Sequence, residues 1–287
     1  MLGKFKDQTA QDRYFAVYAA ILEKWPVPAE ELDVETRFGS TRVRRSGTGT
    51  GVPIVLLHGV LGTSLSWYSF VAELAAKHTV YAVDTMGEPG HSVQTRPLEN
   101  TEDEADWLDD VLVGLGHEKV HLVGISRGAY FALNHAVRRS GRITGVLAFE
   151  PGGFGLPGLR FVLWSLGELS RWLLPAAILR RVSAGDPAVR HTMRPLLFRG
   201  IRYKAQIAPL HVFTDDELRS IDVPAHFILG GRSVIGPQEL AARVESLVPR
   251  VRTEIVPGRT HALNLEEPEL TNARILAFAE DHAELPD

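Results

Sequence analysis

Short apolar runs recur along the chain, and they are continuous rather than alternating. They are Pro53–His58 (PIVLLH), Thr79–Asp84 (TVYAVD), Lys119–Gly124 (KVHLVG), Ile143–Phe149 (ITGVLAF), Pro224–Gly230 (PAHFILG) and Val251–Val256 (VRTEIV). A strand covered on one face alternates apolar and polar residues. A strand covered on both faces, as in a parallel sheet, reads as an unbroken apolar run. Between most of these runs apolar residues repeat three or four apart, which predicts helices over 66–77, 101–115, 127–139 and 237–248. Strand–helix alternation of this kind predicts an α/β fold with a mostly parallel, doubly wound sheet.

Two stretches depart from the alternation. Residues 8–25 carry Tyr14, Val17, Tyr18, Ile21 and Leu22 at helical spacing, and Pro26 and Pro28 end the pattern. A helix packed on the domain edge is the expected reading, with a lid or a dimer contact as the alternative. Between Phe149 and Pro224 no strand is evident. Helix-like apolar segments near 158–174, 175–182 and 188–200 are punctuated by Pro157, Pro175, Pro187 and Pro195. The expected organisation is therefore a core of 1–152 and 222–287 with a helical cap over 153–221, inserted after a strand. Ligands of open α/β sheets bind at the carboxyl ends of the strands, where such a cap would sit.

Composition narrows the partners. The 287 residues are 45% hydrophobic and 23% charged, with a formal net charge of −4. That balance suits one globular unit and points to no nucleic-acid partner. Cysteine is absent, which excludes disulfides, thiolate metal sites and a cysteine nucleophile. MLGKFKDQTA lacks the apolar core of a signal peptide, and no apolar stretch reaches the ~20 residues of a membrane span. A soluble cytoplasmic protein is the simplest expectation, and the oligomeric state stays open.

Against that background, Gly124-Ile125-Ser126-Arg127-Gly128 fits G-x-S-x-G between a predicted buried strand and a predicted helix. This is the setting of a nucleophile elbow, where a serine sits on a tight turn and small flanking residues let strand and helix approach. The plain alternative is a serine capping a helix. His58-Gly59-Val60-Leu61-Gly62 follows an earlier strand. A tetrahedral oxyanion needs two preorganised N–H donors, and the backbone N–H groups of Val60 and Arg127 are the candidates. His58 itself reads as a residue that organises its loop and transfers no proton. His261 follows the last strand, and of eleven histidines it has the chain order and strand-end position of a general base.

Taken together, the HGxxG loop (58–62), DTMGEPGHS (84–92), GISRG (124–128) and PGRTHALNLEEPE (257–269) resemble the α/β-hydrolase family over most of the chain. The 84–92 segment resembles the family's D-x-x-G-x-G-x-S turn with one residue more, a form that with GISRG looks like bacterial carboxylesterases. Asp84 is then expected to be structural. The resemblance implies an α/β-hydrolase fold with a helical cap, Ser126 as nucleophile and His261 as base.

One position departs from the family. Its triad acid is usually an Asp shortly after the strand that ends here at Gly230, and Ser233 occupies that place. Some branches, certain haloalkane dehalogenases among them, carry the acid after the neighbouring strand. Glu150 directly follows 143–149, and the order Ser126, Glu150, His261 matches the family's, so Glu150 is the candidate acid. A carboxylate that only caps the following turn is the alternative.

In the cap, Leu159, Phe161, Val162, Leu163, Trp164, Leu166, Leu169, Trp172, Leu173 and Leu174 form an apolar patch. It reads as packing on the core or as the wall of an apolar pocket. Arg160, Arg171, Arg180, Arg181, Arg190, Arg194, Arg199 and Arg202 read as solvated faces rather than an anion site. The expected function is hydrolysis of a small or medium apolar carboxylic ester through an acyl-enzyme, with no metal or organic cofactor implied. A lyase, cyclase or acyltransferase on the same fold, or a ligand-binding protein on this scaffold, are the alternatives.

Overall fold

The computed structural model describes residues 2–175, 177–178 and 187–283. The strands in chain order are β1 (Lys4–Phe5), β2 (Ala29–Thr36), β3 (Gly39–Ser46), β4 (Ile54–Leu57), β5 (Val80–Val83), β6 (Val93–Gln94), β7 (Val120–Ile125), β8 (Ile143–Phe149), β9 (Tyr203–Lys204), β10 (Ala225–Gly230) and β11 (Val251–Val256). The helices are α1 (Gln8–Leu22), α2 (Val71–Ala75), α3 (Thr101–Gly114), α4 (Arg127–Arg138), α5 (Leu159–Arg171), α6 (Pro187–Gly200), α7 (Asp215–Arg219), α8 (Pro237–Leu247), α9 (Leu263–Glu266) and α10 (Pro268–Asp281).

The main sheet runs β11-β10-β8-β7-β4-β5-β3-β2, with β6 paired to β3. From β11 to β5 every pairing is parallel, while β3 and β2 turn antiparallel at one edge. The continuous apolar runs are the parallel strands: β4, β5, β7 and β8 are buried at every position. One apolar cluster packs Trp107, Leu108, Val111 and Phe131 against one face, and a second packs Trp67, Phe70, Ile275 and Phe278 against the other. Cover on both faces is what removes the alternation from these strands.

The β2–β3 hairpin was not evident in the apolar pattern. Its residues AEELDVET and GSTRVRRS are polar, and β2 is largely exposed. Paired charges cross the hairpin instead: Arg42 meets Glu31 and Asp33, Arg44 meets Glu31, and Arg45 meets Glu30. Opposite charges facing across an antiparallel pair add to the stability that the hairpin draws from Val34 and Val43, which are buried in the core cluster.

Between β8 and β10 the described residues form α5, α6, the short β9 and α7. The expectation of no strand in this stretch needs correction, because β9 pairs antiparallel with β1. Of the apolar segment at 175–182, residues 176 and 179–182 lie outside the described residues, Arg180 and Arg181 among them. Helix α1 ends at Leu22, three residues short of the expected 25. It does more than edge the domain: Tyr14, Tyr18 and Ile21 pack with Leu65 of the core and with Met193 and Leu196 of α6.

Candidate active site

Parallel register aligns the strand ends. Leu57 pairs with Gly124, Ile125 with Phe149, Phe149 with Ile228, and Gly230 with Val256. The residues that leave these strands therefore emerge side by side, and Ser126, Glu150 and the loop carrying His261 are among them.

Ser126 is a one-residue turn between β7 and α4, with φ 53° and ψ −109°. Its N–H donates to Phe149 O at 2.9 Å, and its carbonyl accepts from Tyr130 N–H at 3.0 Å and Gly152 N–H at 3.2 Å. A backbone this far from the common wells costs about 1–3 kcal/mol and persists only when its surroundings impose it. The flanking glycines make the turn possible. A Cβ on Gly124 would strike the backbone of Gly128 and Ala129, and one on Gly128 would strike the carbonyls of Leu57 and His58.

His261 is 7% exposed. Its loop is pinned by Glu266, which accepts from the N–H and the hydroxyl of Thr260, both at 2.8 Å. The imidazole Nε2 lies 3.1 Å from Ser126 Oγ. Nδ1 lies 2.9 Å from Glu150 Oε2. Because an ionised carboxylate can only accept, Nδ1 carries the proton, and Nε2 is left with a lone pair toward the serine hydroxyl.

Glu150 is 1% exposed and, like Ser126, has a positive φ, 52°. Its N–H donates to Ile228 O at 3.0 Å, which ties it to β10. Three donors surround the carboxylate: Gly230 N–H on Oε1, and Ser233 Oγ–H at 2.5 Å with His261 Nδ1–H on Oε2. Ser233 thus stands beside the Glu150 carboxylate and donates to it. Glu150 reaches the imidazole and does not merely cap its own turn.

Val60 and Arg127 border the same space. Among the described residues, neither main-chain N–H makes a hydrogen bond within the protein, so both can serve an incoming oxygen. His58 does organise its loop: Nδ1–H donates to Gly59 O at 2.8 Å, and Nε2 accepts from Thr85 N–H at 3.1 Å. Asp84 is equally occupied, accepting from Ser64 N–H at 2.7 Å, His91 N–H at 2.8 Å and Tyr18 Oη–H at 3.2 Å.

Helix α5 roofs the site. Phe161 and Trp164 set their rings edge-on to His261, with centroids 5.5 and 5.2 Å away. Two cavities meet at Val60 and His261. The larger, about 570 Å³, includes Ser126 and Arg127 and is walled by Phe154, Phe161, Leu210, Val234 and Ile235. The smaller, about 290 Å³, is walled by Trp164, Leu169, Trp172, Met193 and Leu196. Each apolar reading of the 159–174 patch finds residues: Trp172 packs against the cluster of Tyr14, Leu65 and Leu196, while Phe161, Trp164 and Leu169 line cavities, and Leu163 and Leu166 are exposed.

Two buried ion pairs escaped the sequence reading. The Arg127 guanidinium turns into the core, pairs with Glu104 and donates to Ala208 O at 3.1 Å. Burial pushes the Glu104 carboxyl up to about 7, against the pull of Arg127 and the Tyr130 hydroxyl. The signal was an acid on the apolar face of α3, three residues before Trp107. Arg190, expected on a solvated face, is instead 3% exposed and paired with Glu168. Among the described residues no group of three or more potential metal ligands converges, and no helix is long and apolar enough to cross a membrane.

Residues 54–274 match the alpha/beta hydrolase family. The chain belongs to that family. Curated relatives include the uncharacterized carboxylesterase nap of Bacillus subtilis, 32% identical over 93% of this chain and 92% of its own. Carboxylesterase YbfK of the same organism is 30% identical over 93% of each chain. Among solved structures, naproxen esterase (carboxylesterase NP) from Bacillus subtilis superposes with a TM-score of 0.80 at 30% identity, covering 95% of this chain and 99% of its own. This alpha/beta hydrolase therefore shares fold and length with carboxylesterases. The mostly parallel sheet read from the sequence is the family's own.

Proposed function

We propose that this protein is a serine carboxylesterase in which Ser126, His261 and Glu150 form the catalytic triad. The observation that carries the reading is the chain of contacts from Ser126 Oγ to His261 Nε2 (3.1 Å) and from Nδ1 to Glu150 Oε2 (2.9 Å). The carboxylesterase relatives support ester hydrolysis in particular.

The reaction follows from the geometry. Ser126 Oγ attacks the ester carbonyl while its proton passes to His261 Nε2. Charge developing on the carbonyl oxygen is met by the N–H groups of Val60 and Arg127. Glu150 stabilises the imidazolium without taking its proton. The C–O bond to the alcohol breaks as Nε2–H protonates the departing oxygen, leaving an acyl-serine. His261 then removes a proton from water, the hydroxide oxygen adds to the acyl carbon, and Ser126 Oγ leaves with the proton. The described residues of 153–221 act as the cap over this centre, on the described part of the core of 1–152 and 222–287. The apolar cavities on either side of His261 suit an uncharged ester of small or medium size.

The test is covalent. A fluorophosphonate should label Ser126 in the intact protein, and a p-nitrophenyl ester should give a burst of one equivalent. Ser126→Ala should abolish labelling and lower turnover by about 10³-fold or more. Labelling at another serine, or turnover unchanged in the variant, would sink the assignment. Labelling without turnover would favour a binding protein on this scaffold.

A further inference from the structure

The turn over 84–92 has one residue more than the pattern it resembles, and Glu88 lies in the enlarged part. It is 2% exposed, and its carboxyl points at the oxyanion loop, where Oε2 accepts the main-chain N–H of Leu61 at 2.7 Å. Leu61 is one of only three non-glycine described residues with positive φ, and the other two are Ser126 and Glu150.

Residues 59–62 form a four-residue turn closed by Gly62 N–H to Gly59 O at 3.0 Å, with φ 61° at its third position, Leu61. Positive φ at that position belongs to a type II turn, which favours glycine there. A leucine favours the type I turn, in which the peptide between the second and third residues is flipped. The flip would replace the Leu61 N–H facing Glu88 with the carbonyl of Val60, oxygen against oxygen in a buried place. Glu88 therefore selects the turn that leucine alone would not adopt. The peptide it holds joins Val60 to Leu61, and the peptide before it in the same turn, Gly59–Val60, carries the Val60 N–H, one of the two oxyanion donors in the proposed function.

We infer that Glu88 is a positioning residue of the oxyanion hole, holding the 59–62 turn in the form that presents Val60 N–H to the substrate oxygen. The inference rests on the esterase reading for its kinetic consequence and on the Leu61 contact for its structural one. Burial pushes the Glu88 carboxyl up, against the pull of His58, the Leu61 N–H and Arg127. An amide that still offers an oxygen to the Leu61 N–H keeps the contact on which the inference rests.

The experiment compares Glu88→Ala, Glu88→Gln and the double variant Glu88→Ala/Leu61→Gly with wild type. The readouts are steady-state kinetics on a p-nitrophenyl ester and hydrogen exchange of the Leu61 amide. Full loss of one oxyanion donor costs about 10²–10³ in rate, so a displaced donor in Glu88→Ala should lower kcat by about 10- to 100-fold with KM within about twofold. Glu88→Gln should stay within about threefold. Glycine at 61 adopts positive φ without help, so the double variant should regain at least about fivefold over Glu88→Ala. The Leu61 amide should exchange faster in Glu88→Ala and stay protected in Glu88→Gln. Glu88 as a mere packing residue would lower Tm in all variants without this ranking. Wild-type kcat in Glu88→Ala, equal losses in Ala and Gln, or no rescue by Leu61→Gly would each overturn the inference. If the wild type hydrolyses no ester, the esterase reading fails, and unchanged Leu61 exchange in Glu88→Ala would separately defeat the role of Glu88.

Discussion

Glu150→Gln isolates one element of the proposed mechanism, because the amide matches the carboxylate in size and differs in what it can offer. The site holds three donors: Gly230 N–H at one oxygen, Ser233 Oγ–H and His261 Nδ1–H at the other. An amide has a single oxygen. With that oxygen on Gly230, its NH₂ faces His261 and binds best when Nδ1 is bare. The proton then moves to Nε2, and the imidazole can no longer accept from Ser126. With the oxygen on His261, the NH₂ meets Gly230 N–H, and two buried donors in contact cost about 1–3 kcal/mol. The structure therefore favours the unproductive tautomer. The charge that would stabilise the imidazolium is lost as well. We expect kcat to fall by about 10²- to 10⁴-fold, or about 2.7–5.4 kcal/mol of transition-state stabilisation. KM should barely change, since Glu150 borders neither cavity. Stopped-flow acylation with an activated ester gives the number directly, and circular dichroism checks the fold. Ser233→Ala keeps the carboxylate and its other two donors, so it should remain within about threefold. A Glu150→Gln enzyme with near wild-type kcat would refute the reasoning.

Two further outcomes are open to measurement. Each methylene that the apolar cavities bury should add ~0.8 kcal/mol, so kcat/KM on p-nitrophenyl esters should rise about fourfold per carbon from acetate toward hexanoate. A flat series, or preference for a dicarboxylic monoester, would count against the apolar reading. His121 is buried in β7, and burial lowers it from 6.5 to about 3. The folded state thus refuses a proton that the unfolded chain accepts. This part of the stability is present above pH 6.5 and is lost as pH falls toward 3, by at most ~1.4 kcal/mol per pH unit. Urea titrations at pH 7 and pH 4.5 should show a smaller acid loss in His121→Gln than in wild type, and equal losses would contradict it.

The legible parts of the molecule were those where one physical cause acts alone. β4, β5, β7 and β8 read directly because cover on both faces leaves no polar alternation. Ser126 and His261 read from strand-end position, since parallel register brings the carboxyl ends together whatever lies between them in sequence. Elements whose few apolar residues sit among charges, or whose partner strand is remote in sequence, did not read. The β2–β3 hairpin carries charges that face each other only once the chain folds, and β9 finds its partner in β1, where Lys204 pairs with Lys4. Arg127 and Arg190 illustrate the same limit. An arginine in a sequence looks solvated, and only the folded chain shows that Glu104 and Glu168 receive these two.

That the proposed acid can stand at the end of β8 follows from the sheet itself. β8 and β10 are neighbours, with Phe149 beside Ile228, so both strand ends open toward the same imidazole nitrogen. His261 requires a carboxylate at Nδ1, and the register does not dictate which strand supplies it. Ser233 Oγ is 2.5 Å from Glu150 Oε2, so the usual position lies one hydrogen bond from the proposed acid. The acid should therefore be transferable. Glu150→Ala should lose about 10²- to 10⁴-fold in kcat. Glu150→Ala/Ser233→Asp should recover at least about tenfold of that loss, because the shorter side chain at 150 leaves room for an aspartate to reach Nδ1. Ser233→Asp alone should be harmful, since two carboxylates would then compete for one buried site and repel each other. The same substitution would thus be damaging with Glu150 present and beneficial without it. A double-mutant cycle on kcat should give a coupling of at least about 1.4 kcal/mol, the value of one decade in rate. If the double variant is no faster than Glu150→Ala, then reach from β10 is not enough, and Glu150 matters for something its backbone position alone provides.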